Sequence, residues 1–148
     1  MEPKRLVLYH LAFTLAMVGV MTAVQLVIYP QFRSVTEADF TQYVAAHGTR
    51  ITYALALFAP AEVLLALFLW MRADGTTQTV AFVSGALLAV AWVATAVWYG
   101  PLHGRLISQP YDAARIDQLI VTNWARTIIW WIRGGLALWM AVALTSSR

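Results

Sequence analysis

Apolar residues run almost without a break over residues 6–29 and end at Pro30. As a helix that run would be about 36 Å long, enough to cross a bilayer core of about 30 Å. His10, Thr14, Met17, Met21 and Gln25 recur along it at helical spacing and form one stripe, the inward face of a bundle. The linker 31–35 is polar. Thr36 with Glu37 and Asp39 reads as a helix start, with a capping oxygen and acids in the first turn. The next helix extends over 37–71; its membrane part is 51–71, interrupted by Pro60. A short turn from Arg72 to Gln78 leads to a third apolar run, 79–99, which Gly100-Pro101 stops. A loop with His103, Gly104 and Arg105 follows, and Ser108 before Gln109-Pro110 marks the next start. The last segment begins near Tyr111 with polar turns, and its membrane part is 119–144.

Four apolar helices with short connections predict an all-α, integral membrane four-helix bundle in up-down-up-down order. Residues 1–148 form a single domain without internal repeats. The opening run is too long for a signal-peptide core and is read as a retained helix. Both termini then share one side, flanked by Lys4, Arg5, Arg72 and Arg148, against Arg33, Arg105 and Arg115 on the other. The small basic excess favours cytoplasmic termini and placement in a bacterial inner membrane.

The most informative stretch is Asn123-Trp124-Ala125-Arg126-Thr127, continuing through Trp130 to Arg133. At about 100° per residue, Asn123, Arg126, Trp130 and Arg133 share an arc of about 80°. Arginine stays charged in essentially any protein environment, so this face must meet protein, water or a bound anion rather than lipid. Glu62 is nine residues from Met71, and Arg133 is eleven from Leu144. Their matched depth makes them the natural structural ion pair. His47 lies about 60° from Glu62 around an ideal helix and faces the same interior.

Composition sharpens this picture. Of the residues, 61% are hydrophobic and 11% charged, far from the roughly one quarter charged in a soluble domain. The net charge of +3 comes from scattered basic residues, which is no footprint for nucleic acid. The absence of cysteine excludes disulfide and thiolate chemistry. No metal motif, nucleotide loop or hydrolase elbow is present, so no metal is assigned. The end opposite the termini gathers Gln25, Tyr29, His47, Arg50, Trp98, His103, Arg105, Asn123 and Arg126. With the Glu62–Arg133 pair set aside, this cluster is cationic and calls for an anionic or carbonyl-rich ligand.

Pro101-Leu102-His103-Gly104-Arg105-Leu106 resembles the Pro-Leu-Asn-x-x-Leu loop of the anthrone oxygenase-like membrane family. Asn123-Trp124-Ala125-Arg126-Thr127 resembles that family's Asn-x-x-Arg-Thr element in its last helix. The resemblance implies a small four-helix membrane protein, in some members tied to oxygenation of polycyclic phenols. It marks Pro101, His103, Arg105, Asn123 and Arg126, with His103 standing where the family usually has asparagine.

The leading expectation is a membrane oxidoreductase or oxygenase-like enzyme acting on a lipophilic aromatic or quinone-like molecule. His103, His47 and Arg126 would be catalytic, the histidines moving a proton and the arginine holding an oxyanion. Arg50, Arg105, Asn123, Trp98 and Trp130 would bind the substrate. The cofactor is left open between haem, a quinone and none. Other partners are membrane lipid and a second copy or a larger membrane complex. The competing expectation is a non-catalytic membrane subunit holding lipid or haem, its polar cluster structural. A transporter fits less well without repeats.

Overall fold

The computed structural model describes residues 3–146, so Arg148, placed above on the terminal flank, lies outside the described residues. The fold is all-α. Four helices are long and apolar enough to cross a membrane: α1 (Lys4–Ser34), α2 (Glu37–Arg72), α3 (Gly75–Ser108) and α4 (Ala113–Leu144). They pack in a ring, α1 on α2 and α4, and α3 on α2 and α4.

Three prolines expected to break helices do not. Pro60 sits inside α2, which continues through it. Pro30 and Pro101 each follow a wide turn of π-helix, Val24–Ile28 and Thr95–Tyr99. Proline lacks an N–H and its ring crowds the carbonyl four residues back. The π turn absorbs this by moving the preceding hydrogen bonds out by one residue. The Tyr29 N–H reaches the Val24 carbonyl, and the Gly100 N–H reaches that of Thr95. Gly100 suits the second turn because a Cβ there would lie 3.2 Å from the Thr95 oxygen. As a result α1 runs on to Ser34, and His103, Gly104 and Arg105 are helical rather than in a loop.

The helix starts follow local capping chemistry. The Thr36 hydroxyl accepts from the Asp39 N–H at 3.4 Å and donates to the Asp39 carboxylate at 2.7 Å, a reciprocal cap. The start expected at Ser108 lies instead at Asp112, whose carboxylate accepts from the Ala114 N–H at 3.0 Å. The third run likewise begins earlier than Thr79, at Gly75.

The bundle is apolar outside and polar within. Tyr53, Leu57, Val93, Val97 and Val121 are exposed, while His10, Gln25, Glu62, Asn123, Arg126 and Arg133 are buried. Three apolar layers stack along the axis. One is centred on Leu6, Leu69 and Met140, a second on Met17, Leu88 and Trp130, and a third on Phe32, Phe40 and Ile116. Gly134 lets α1 approach α4, since a Cβ there would meet the Val18 side chain at 3.1 Å. Glu62 and Arg133, both 0% exposed, meet at 2.5 Å, and the Arg133 Nε–H donates to the Ser84 carbonyl at 3.0 Å.

Removing one member of a buried pair strands the other charge, which costs about 3–5 kcal/mol. Glu62→Leu is therefore expected to lower stability by about that amount in thermal unfolding of the purified protein. Glu62→Leu combined with Arg133→Met should recover most of the loss.

Candidate functional site

Arg126 projects from α4 towards α1 and α3, and is 8% exposed. One terminal nitrogen donates to the Thr95 hydroxyl and the other to the Tyr29 hydroxyl, both at 3.2 Å. Its guanidinium carbon lies 4.4 Å from the centre of the Tyr99 ring, within cation–π range. Among the described residues no carboxylate pairs with it, and its Nε–H has no acceptor. Tyr29 directly follows the first π turn and Tyr99 closes the second, so the same backbone adjustment delivers both aromatic partners. The Tyr99 hydroxyl donates to the Thr122 carbonyl at 2.7 Å, tying α3 to α4 beside the guanidinium.

Asn123 is buried, with its amide nitrogen bonded to its neighbours and its side-chain oxygen without a partner. Its amide donates to the Gln25 side-chain oxygen at 2.7 Å, and the Gln25 amide donates to the Ile120 carbonyl at 3.1 Å. This pair clamps α1 to α4, and Asn123 makes no contact with a cavity through these bonds.

The two histidines stack, with ring centres 6.3 Å apart and planes at 23°. Tyr29 contacts both, at 6.0 Å to His47 and 5.5 Å to His103. Tyr29 therefore stands between the histidines and Arg126. His103 Nδ1 is 2.7 Å from the Tyr99 carbonyl. A carbonyl only accepts, so Nδ1 carries the proton and Nε2 is left as the basic nitrogen of the neutral ring.

The remaining expected residues divide. Trp130 is buried, and its ring lies 4.6 Å from the Arg133 guanidinium carbon. Arg50, Arg105 and Trp98 are exposed on the outside of the bundle. Arg50 still joins His47 in lining an open depression of about 290 Å³, whereas Trp98 forms no aromatic wall inside. The single pocket expected from His47, Arg50, His103, Asn123 and Arg126 is thus split into an outer depression, a buried amide clamp and an inner arginine site. Which way each side chain points depends on the rotation of each helix.

Sequence reasoning gave no site role to Thr95 and Tyr99, and placed Tyr29 and His10 without naming their partners. Tyr29, Tyr99 and Thr95 complete the Arg126 site; a tyrosine one or two residues before a proline in two apolar helices was the available signal. His10 belongs to the deeper layer with Thr14, Ser84, Glu62 and Arg133, all buried. Both His10 nitrogens, the Ser84 hydroxyl and one terminal nitrogen of Arg133 lack partners. The stripe of His10 and Thr14 at helical spacing pointed there.

Two further spaces adjoin Trp92. A void of about 10 Å³ lies among Met17, Met21, Thr95, Trp92, Arg126 and Trp130. An almost wholly apolar groove of about 510 Å³ runs between α2 and α3, bordered by Val63, Ala66, Gly85, Ala89 and Trp92. Among the described residues no group of three or more His, Asp or Glu is placed to hold a metal ion. Comparison with protein-family models, curated proteins and solved structures returned no match.

Asn123→Leu should strand the Gln25 carbonyl and destabilise the bundle by about 1–2 kcal/mol, measured by unfolding of the purified protein. The double change with Gln25→Leu should regain most of that, because no polar group is then left unpaired.

Proposed function

We propose that this chain is an integral membrane four-helix bundle, up-down-up-down, that receives a lipophilic aromatic or quinone-like molecule for oxidoreductase or oxygenase chemistry. One observation carries the reading: Arg126 is a buried cation with neutral partners and an unused donor. A charge at that depth is costly without a counter-charge, and an oxygen with anionic character supplies one. Fixed donors in an apolar surrounding stabilise such an oxygen well as charge develops on it. The apolar body of the molecule would lie in the groove between α2 and α3, which reaches Trp92 beside Arg126. Tyr29 links the guanidinium to the histidines, and the free Nε2 of His103 is the base this route offers. The resemblance to the anthrone oxygenase-like family agrees with a flat phenolic substrate, and Arg126 matches the arginine of that family's element.

Membrane placement is supported by the exposed apolar faces and helix lengths. The alternating order is supported by pairing of the start of α1 with the end of α4, as Leu6 packs with Met140. Cytoplasmic termini in a bacterial inner membrane follow from the basic residues near the terminal side.

A second reading is a non-catalytic membrane subunit with structural polar layers. It is favoured by the size of the void beside Arg126, about 10 Å³, which is room for one atom and not for a ring system. The groove reading requires only the oxygen to enter.

The test is binding of naphthol and naphthoquinone to the purified protein, followed by calorimetry. Arg126→Gln is expected to weaken binding about 10- to 100-fold, the worth of a hydrogen bond to a charged group. Arg105→Gln, on the outer surface, should leave it unchanged. Equal affinity in all three proteins would leave the structural reading in its place.

A further inference from the structure

Along the void beside Arg126 unpartnered donors outnumber acceptors. Three residues that line the 10 Å³ void carry an N–H without a partner: the Arg126 Nε, the Trp92 indole and the Trp130 indole. The opposite walls are Met17, Met21 and Leu55, which offer at most weak thioether acceptors. The one hydroxyl present is already used, since Thr95 donates to the Ala91 carbonyl at 2.8 Å and accepts from Arg126. The void is about the size of one water-sized sphere. Water fits it poorly in chemistry, because its lone pairs would be welcome but its two protons would find no strong acceptor. A single atom that only accepts fits on all counts, and a negative one neutralises the guanidinium.

We propose that the void between Arg126, Trp92 and Trp130 is a receptor for one acceptor atom that carries full or partial negative charge. That atom comes either from a free halide or from the phenolate or carbonyl oxygen of the lipophilic molecule. The second source rests on the reading of Arg126 given above; the first does not. The two indoles are then binding groups and not only filling for the apolar layer they stand in. Trp92 is shared with the groove between α2 and α3, so an oxygen entering from the groove passes the indole that would hold it.

The experiment titrates the full-length protein with sodium bromide and, separately, with naphthol. Calorimetry gives affinities, and the indole N–H resonances of ¹⁵N-labelled tryptophan report the donors. Trp92→Phe and Trp130→Phe keep a ring in place but delete the N–H. Each is expected to weaken binding about tenfold, and in the wild type the two indole resonances should move on ligand addition. Saturation by bromide identifies a free-anion site, and response to naphthol alone identifies the ligand oxygen; either supports the receptor. Bromide binding without naphthol binding keeps the receptor and removes the lipophilic-substrate reading. Loss of binding in Arg126→Gln with full affinity in both Trp→Phe variants overturns the receptor while Arg126 keeps its role. Failure of both probes to bind the wild type overturns the receptor outright.

Discussion

Arg133 and Glu62 meet with neither side chain exposed, so neither charge can fall back on water if the other is lost. Bringing two ions into an apolar bundle costs several kcal/mol each, and only close geometry with further hydrogen bonds offsets it. The pair therefore constrains α2 and α4 in both depth and rotation. Arg133 adds α3 through the Ser84 carbonyl, while His10 and Thr14 bring α1 to the same layer. All four helices thus contribute to this one layer.

Arg126 answers the same problem differently, one apolar layer away. Where Arg133 has a carboxylate, Arg126 has a threonine, a tyrosine hydroxyl and a tyrosine face. Those partners satisfy donors without cancelling charge. The π turns before Pro30 and Pro101 aim the tyrosines at it, and such turns recur at functional sites because they redirect side chains within an otherwise regular helix. One arginine is paired with an opposite charge, and the other has only neutral partners beside a small void.

The neighbouring elements fit this division. The amide clamp of Gln25 and Asn123 sets the spacing of α1 and α4 next to Arg126, and the stacked histidines lie beyond Tyr29 towards the outer depression. The histidines and Arg126 are therefore linked through one tyrosine rather than in direct contact. The apolar groove meets this arrangement from the other side, at Trp92.

Much of this was legible in the chain. The four helices follow from apolar run length, and the Glu62–Arg133 contact from counting residues in from the helix ends, because rise per residue converts sequence position into depth. The importance of Arg126 follows from the cost of a guanidinium among apolar residues. What the tertiary structure decided was rotation and partnership. Proline was read as a stop, since a helix that loses a hydrogen bond is expected to end; the π turns let α1 and α3 continue, and this turned a supposed loop around His103 into helix. Arg50, Arg105 and Trp98 share a depth with the inner site yet face outward, and Asn123 is spent on Gln25. Sequence spacing places residues on a face of their own helix. Only the packing of four helices says what that face meets, because each rotation is set by side chains on the other three.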